Sequence, residues 1–235
     1  MDAQRRSFFV FIVESPSAPD LYHGRHEGFL LQQALALESL PSVTRIAISK
    51  EAFKAALTIG ITDEMKRFSQ LYPIIHISAH GSQDGLQLSN GENILWNELR
   101  DLLLPLNKAL QGGLLLCMSS CEGFSACQMA MLFEPGDQPF WGIVGHKGKP
   151  GWADTAVAYA TFYHLLIKGS SIADAVKAMG VAAGDAGFTE ITAEQARLLF
   201  IEHVNQINLA QAQQTMQRQA DAVPSSPLTK ALENH

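Results

Sequence analysis

The sequence predicts an α/β three-layer sandwich built around a mostly parallel sheet. Short runs rich in β-branched and aromatic residues recur along the chain, each bounded by turn residues, and such runs are typical of buried strands. Longer stretches with apolar residues at helical spacing separate them, an alternation typical of a parallel sheet covered by helices on both faces. The 235 residues, of which 47% are hydrophobic and 17% are charged, suit one compact globular domain.

The predicted elements follow one another in a regular order. Five runs are predicted as buried parallel strands: 7–13, 43–48, 72–78, 114–119 and 140–145. The predicted helices are 24–39, 51–70 with a break near Gly60, 96–111, 123–133, 152–167, 171–183 and 193–218. Ser49 is a predicted N-cap, and Thr62 or Asp63 is predicted to cap the helix after the break. We therefore expect one domain over residues 1–218, followed by a disordered tail over 219–235.

Charge and hydropathy argue against several classes of function. The formal net charge is −6 and no basic run exceeds Arg5-Arg6, so nucleic acid is not an expected partner. The apolar start at 8–13 is shorter than the core of a signal peptide, and nothing approaches the run of ~20 apolar residues that a membrane helix needs. Three cysteines, an odd count, argue against a secreted disulfide framework. We expect a cytoplasmic protein with reduced thiols and no membrane insertion of its own.

The first chemically informative segment is 74–81, which reads Ile-Ile-His-Ile-Ser-Ala-His-Gly. It is an apolar strand that ends on His80 and Gly81, and catalytic groups gather beyond the carboxyl ends of strands in an open parallel sheet. A histidine in that place can act as a general base. Gly81 permits close approach of a substrate backbone, and its N–H can bind a developing oxyanion.

The second segment, 114–123, has the same design and reads Leu-Leu-Leu-Cys-Met-Ser-Ser-Cys-Glu-Gly. Cys121 therefore lies at a strand tip, before a helical pattern. A following helix N-terminus and a neighbouring imidazole both favour the thiolate, which is the nucleophilic form of cysteine. The chain between the two tips holds a turn and the predicted helix 96–111, which is enough for one crossover between adjacent parallel strands. The sequence thus predicts that His80 and Cys121 meet at one edge of the sheet.

Together these two segments resemble the caspase-like superfamily of cysteine peptidases, which includes caspases, metacaspases, separases and the bacterial CHAT peptidases. Later stretches are most similar to the CHAT group: 141–145 (Trp-Gly-Ile-Val-Gly), 151–154 (Gly-Trp-Ala-Asp), 162–166 (Phe-Tyr-His-Leu-Leu) and 169–175 (Gly-Ser-Ser-Ile-Ala-Asp-Ala). The resemblance runs from about residue 8 to residue 183 and is not accompanied by tetratricopeptide repeats.

The resemblance implies a sheet of about six strands, a dyad of His80 and Cys121, and an oxyanion site formed by the backbone N–H groups of Gly81 and Cys121. It implies no metal and no organic cofactor. The substrate would be a protein or peptide bound as an extended strand, and Asp154 matches an acidic position that binds a basic P1 residue in separase-like and CHAT-like members. Such an endopeptidase would cleave one dedicated protein, for example a pore-forming protein of an antiphage or cell-death defence system. A regulatory partner protein would hold it inactive until signalled.

The candidate substrate contacts each have a second interpretation. Asp154 is either a wall of the S1 pocket or the N-cap of a helix that begins at Thr155. Trp152 is either a pocket wall or an aromatic side chain packed on the sheet. Ser119, two residues before Cys121, is included as a substrate-binding candidate.

Three other functions are kept as alternatives. Two pairs of residues four apart, His76 with His80 and Cys117 with Cys121, resemble a zinc site. Within each pair the two members lie ~13 Å apart along the strand, more than one ion can span, so His76 and Cys117 are predicted core positions beneath the site. A hydrolase or amidotransferase of another α/β family would take its histidine from after the nucleophile, at position 146, 164, 203 or 235. The third alternative is a non-catalytic caspase-like binding scaffold.

Overall fold

The computed structural model describes residues 8–131 and 137–222, and it confirms the predicted fold class. A central sheet runs in the order β2-β1-β3-β6-β7-β8, with a short hairpin, β4-β5, extending from the end of β3. All neighbours along this order are parallel except β8, which is antiparallel to β7. The strands are Phe8–Ser15 (β1), Ser42–Ile46 (β2), Tyr72–Gly81 (β3), Gly85–Gln87 (β4), Asn93–Leu95 (β5), Leu115–Ser119 (β6), Gly142–His146 (β7) and Phe188–Thr192 (β8).

Helices connect the strands and cover the sheet. The helices are Ala18–Tyr22 (α1), Glu27–Leu37 (α2), Lys50–Ala55 (α3), Ile61–Arg67 (α4), Trp96–Ala109 (α5), Trp152–Ile167 (α6), Ile172–Ala183 (α7) and Ala193–Ala222 (α8). A π-helical turn, Ala56–Gly60, joins α3 to α4, and a 3-10 segment, Gly123–Ala130, follows β6.

The alternation of side chains along each strand produces two apolar layers, one on each face of the sheet. On the first face, residues such as Phe11, Ile75 and Leu116 pack against α3, α4 and α5. On the second face, residues such as Ile12 and Cys117 pack against α2, α6 and α7. His80 has the parity of the second set, and its ring centroid lies 6.2 Å from that of Trp152 on α6.

The structure corrects two helix predictions. Ser49 is an N-cap as predicted, since its hydroxyl accepts a hydrogen bond from the Ala52 N–H. The predicted break near Gly60 is wrong, because Gly60 keeps right-handed helical dihedrals and the π-turn passes directly into α4. Neither Thr62 nor Asp63 caps a helix there, and the Thr62 hydroxyl instead donates to the Thr58 carbonyl. The predicted helix 123–133 is a 3-10 segment.

The chain divides after Arg197 into two units. Helix α8 begins in the first unit and continues from Leu198 to Ala222 in the second. Residues 223–235 lie outside the described residues, so a domain limit at 218 and a disordered tail stay predictions. Among the residues that the structure describes, no helix combines the length and apolar character needed to cross a membrane.

Candidate active site

The register between β3 and β6 brings the two predicted catalytic residues together. Every ladder pair, from Ile74 opposite Leu115 to Ser78 opposite Ser119, joins residues 41 positions apart. His80 and Cys121 are also 41 positions apart, and each lies two residues beyond the last pair. His80 is still in β3, whereas Cys121 lies in the turn that follows β6, so the two residues stand at the ends of adjacent strands.

Gly81 explains how closely the two tips approach. A Cβ at this position would overlap the carbonyl oxygen of Cys121 and would lie 2.9 Å from both the Cβ and the Oγ of Ser120. Only a residue without a side chain fits there. β3 extends past the ladder because its last two residues pair with β4, His80 with Gln87 and Gly81 with Leu86.

The turn after β6 gives Cys121 an unusual backbone setting. Glu122 adopts a left-handed conformation, with φ of 52° and ψ of 25°, which is uncommon for a residue with a side chain. The Glu122 N–H donates to the Gly148 carbonyl at 2.6 Å, and the Gly123 N–H donates to the Ser120 carbonyl at 3.1 Å. Within residues 8–131 and 137–222 the Cys121 N–H has no acceptor. It is therefore available to a ligand.

The side chains of the two tips are accessible, and Trp152 flanks them. His80 is exposed and Cys121 is partly exposed. The centroids of the His80 and Trp152 rings are 6.2 Å apart, with an angle of 36° between the rings. No hydrogen bond joins His80 to Cys121 in the described residues, and such bonds are often long in proteins without substrate.

Asp154 lies in the same first turn of α6 as Trp152. The helix begins at Trp152 with Gly151 as its N-cap, so Asp154 is the third helical residue and not an N-cap. Its carboxylate is exposed and folds back toward Gly151, where a Cβ would be 2.5 Å from Oδ2. This position leaves an anionic group on the rim near His80.

A second carboxylate, Asp20 on α1, lies within electrostatic range of His80. The Ser17 hydroxyl and the Arg25 guanidinium hold the pKa of Asp20 below its usual value, and the charge of His80 lowers this pKa further. Arg25 Nε donates to Asp20 Oδ1 at 2.7 Å. The connection from β1 to α2 therefore brings a charged group within electrostatic range of the histidine.

The loop after β7 is fixed beside the nucleophile by His146. The Gly148 N–H donates to His146 Nδ1 at 2.9 Å, while His146 Nε2 lies 3.1 Å from Asp185 Oδ1. The carbonyl of Gly148 is the group that accepts from Glu122, next to Cys121. A chain of polar contacts therefore runs from Asp185 through His146 and the loop to the nucleophile turn.

Ser119 is placed beneath the site and not in its wall. It is 1% exposed, and its hydroxyl donates to both carboxylate oxygens of Glu27 at 2.8 Å. Ser78 donates to the same carboxylate at 2.6 Å. Burial raises the pKa of Glu27 to about 7, although the two serine hydrogen bonds oppose the shift. We therefore remove Ser119 from the groups that face a substrate.

His76 and Cys117 form the next row down, opposite each other in the ladder and fully buried. Burial lowers the pKa of His76 to about 3, and its Nδ1 lies 2.9 Å from the hydroxyl of Tyr163. Burial raises the pKa of Cys117 to about 12. These two residues occupy the predicted core positions, one row below the serines and two rows below the tips.

The other histidines proposed for alternative chemistry have different partners. His146 is engaged with Gly148 and Asp185, as described above. His164 lies on α6 with Nδ1 2.9 Å from a carboxylate oxygen of Glu38. His203 belongs to the second unit, and residue 235 lies outside the described range.

Glu27 was missed at the level of sequence, although a signal exists. It precedes Leu31 and Leu35 at intervals of four, and all three are buried. An acidic residue in line with an apolar helical stripe is expected to be buried and bonded. Asp20 has a weaker signal, because Ser17 and Pro19 before it indicate a helix start and nothing more.

Comparisons with known proteins find similar solved structures at low sequence identity. No protein-family model matches the chain, and no curated protein matches it. The chain is similar to a solved "structure of pro-sf-caspase-1", with 10% identity and a TM-score of 0.47, over 82% of this chain and 93% of that chain. It is also similar to the "Crystal structure of the Arg specific cysteine proteinase gingipain R (RGPB)", with 10% identity and a TM-score of 0.44, over 75% of this chain and 44% of that chain. The chain thus spans less than half of the gingipain chain.

Proposed function

We propose that the chain is a cysteine endopeptidase in which Cys121 is the nucleophile and His80 the general base. One observation supports the proposal: His80 and Cys121 each lie two residues beyond the last β3–β6 ladder pair, and the residue after His80, Gly81, packs against the Cys121 carbonyl oxygen. A thiol and an imidazole on adjacent strand tips, both accessible, are the minimum for covalent acyl transfer. The free N–H of Cys121 supports the same chemistry.

The reaction follows from these positions. His80 takes the thiol proton, and the Cys121 sulfur attacks the scissile carbonyl carbon. The N–H groups of Cys121 and Gly81 bind the resulting oxyanion. Collapse of this intermediate expels the amine, which takes the proton from His80 and leaves a thioester on Cys121. His80 then removes a proton from water, whose oxygen attacks the thioester, and the thiol is restored when the acid leaves.

The substrate proposed is a protein with Arg or Lys at P1. Asp154 supports this choice, because its exposed carboxylate shares the first turn of α6 with Trp152, which contacts His80. The resemblance to CHAT peptidases leads us to propose a dedicated protein substrate, cytoplasmic action in a bacterial defence system, and a regulatory partner.

The proposal is tested with acylating peptide probes that carry Arg, Lys or Asp at P1. Labelling should occur on Cys121 in the wild type, should be absent in Cys121→Ala, and should slow by roughly 100-fold or more in His80→Ala. Cys127→Ser is the matched control, because Cys127 is a buried thiol in the adjacent 3-10 segment. Labelling of Cys121 at the wild-type rate in His80→Ala would favour a different α/β hydrolase mechanism.

Probe preference separates the specificity hypothesis from the catalytic one. We expect Arg or Lys probes to react fastest with the wild type and to lose that advantage in Asp154→Ala. A preference for an Asp probe that survives this substitution would refute the S1 assignment and leave the dyad intact. Absence of any reaction, with and without cell extract that supplies a regulator, would favour the scaffold alternative.

A further inference from the structure

Glu27 connects the two strands that carry the proposed dyad. It lies in the first turn of α2 and is 2% exposed. Its carboxylate accepts a hydrogen bond from the Ser78 hydroxyl at 2.6 Å and bonds from the Ser119 hydroxyl at 2.8 Å. One buried acid from a helix therefore bridges β3 and β6.

The two serines have equivalent places relative to the dyad. Ser78 is two residues before His80, Ser119 is two residues before Cys121, and the two serines are the last directly opposed pair of the ladder. Side chains two apart in a strand share a face and lie about 6.6 Å apart along it. The bridge is thus the last side-chain tie between the strands before the tips, on the same face as the tips.

We propose that Glu27 is a positioning residue that holds the ends of β3 and β6 so that His80 and Cys121 meet in a productive geometry. This inference rests on the proposed function for its kinetic consequence. It deepens that proposal by identifying what fixes the two tips relative to each other. Because the Glu27 carboxylate accepts hydrogen bonds from one serine on each strand, it links β3 to β6, and we call this link the brace. A side chain that can hydrogen-bond to both serines is required at position 27.

Other titratable groups surround the Glu27 carboxyl and affect its pKa. Glu14 lies on β1 opposite Ser78, is fully buried, and raises the pKa of Glu27 by repulsion. His76 Nε2 on β3 is 3.8 Å from Glu27 Oε1. Other titratable groups around this cluster are His26, whose Nδ1 is 3.7 Å from Glu14 Oε2, and Asp20, which also acts on Glu14. Cys117 lies opposite His76, and Tyr159 and Tyr163 pack over it from α6.

The test compares kcat and KM of the wild type with those of Glu27→Ala, Glu27→Gln, Ser78→Ala and Ser119→Ala. We expect kcat of Glu27→Ala to fall roughly 10- to 100-fold, since small misplacements of reacting groups have effects of that size, while KM changes little. Glu27→Gln can accept from one serine and donate to the other, so it should recover most of the lost kcat. Each serine variant should lose less than Glu27→Ala.

Leu35→Ala is the matched control for a structural effect. Leu35 is 2% exposed on the same helix and contacts neither serine by hydrogen bond, so its truncation weakens packing of α2 without touching the brace. We expect Leu35→Ala to lower the unfolding temperature and to keep kcat. An equal loss of kcat in Leu35→Ala and Glu27→Ala, or full kcat in both serine variants, would overturn the inference.

The rate of Cys121 alkylation by iodoacetamide, measured against pH, gives a readout that needs no peptidase activity. If His80 and Cys121 are held together, the pH midpoint of alkylation should rise in Glu27→Ala and return toward the wild-type value in Glu27→Gln. An unchanged midpoint in Glu27→Ala contradicts the positioning role. If the wild type cleaves no peptide and labels with no acylating probe, with or without cell extract, but these midpoints move as expected, the proposed function fails and the positioning role stands.

Discussion

Gly81 packs directly against the carbonyl oxygen of Cys121, so closely that a Cβ at position 81 would overlap that oxygen. The contact joins the end of β3 to the turn after β6, at the point where the ladder has already ended. Because both groups are backbone, neither can swing aside as the end of a flexible side chain would. The distance between the two strand ends therefore depends on residue 81 being glycine.

Gly81→Ala is expected to separate the tips. The added methyl group must displace the backbone of Cys121 or of β3, and overpacking of this kind costs about 1–3 kcal/mol of unfolding free energy. The rate at which the acylating probe labels Cys121 should fall together with the free energy of unfolding. Denaturant unfolding and probe labelling measure the two effects. Gly142→Ala is the matched control, because a Cβ at this β7 glycine would have its nearest neighbours at 3.7 Å, an ordinary contact.

The three cysteines should differ in their reactivity toward an alkylating reagent at pH 8. Burial raises the pKa of Cys117 to about 12 and that of Cys127 to about 11, so the thiolate fraction of Cys127 is on the order of one in a thousand at this pH. Cys121 is partly exposed. We expect peptide mapping by mass spectrometry to find modification at Cys121 first. Equal modification of Cys127 in the folded protein would contradict the burial described here.

His146→Ala should release the loop beside the nucleophile. Without the imidazole, the Gly148 N–H loses its hydrogen-bond acceptor. The Gly148 carbonyl, which accepts a hydrogen bond from the Glu122 N–H, is then no longer held in place. We expect kcat to fall roughly 10-fold or more, because the Cys121 turn depends on that bond for its left-handed Glu122. Steady-state kinetics on a fluorogenic peptide measure the effect. His164→Ala, on the surface of α6, should keep full activity, and an equal loss in both variants would exclude a specific role for the loop.

The central strands, and the places of His80 and Cys121 at the ends of two of them, could be predicted because both depend on local pattern. An apolar run that ends on a polar tip fixes the place of His80 on β3 and of Cys121 after β6 before any pairing is known. The exact register could not be predicted, since it is set by packing on both faces of the sheet. β8 was missed because its residues, Phe188 to Thr192, are mostly half-exposed at a sheet edge and carry little apolar signal.

Ser119 shows why the surroundings of a strand end are harder to predict than the strand end itself. Its place two residues before Cys121 marks it as near the nucleophile, but the parity of the strand directs it beneath the tips, toward Glu27. The partner that decides this, α2, is more than 80 residues away in sequence. Contacts of that range depend on tertiary packing, so spacing in the sequence alone cannot separate a pocket residue from a buried one.

The pH dependence of stability should have an identifiable contribution from Glu27 and an opposing one from His76. Burial raises the pKa of Glu27 from 4.5 to about 7, so its contribution is fully present below pH 4.5 and is lost as the pH rises through 7. Burial lowers the pKa of His76 from 6.5 to about 3, so its contribution is fully present above pH 6.5 and is lost as the pH falls toward 3. The two slopes oppose each other between pH 4.5 and 6.5, and Glu27 alone acts between 6.5 and 7.

Glu27→Gln separates these contributions, because it keeps a group that can bond both serines and removes the titration. We expect the wild-type free energy of unfolding to fall between pH 6 and pH 8, by at most about 1.4 kcal/mol, because only the last pH unit of the Glu27 window lies in that range. The fall should be absent in Glu27→Gln. In that variant the loss of stability through His76 should appear as soon as the pH falls below 6.5, whereas in the wild type Glu27 offsets it down to about pH 4.5. Denaturant unfolding at several pH values measures both curves. Two outcomes would contradict this expectation: a wild-type curve that rises through pH 7, or a curve that Glu27→Gln leaves unchanged. Either would mean that Glu27 is already ionised in the folded protein below pH 7. The hydrogen bonds from Ser78 and Ser119 would then stabilise the carboxylate by more than its desolvation costs.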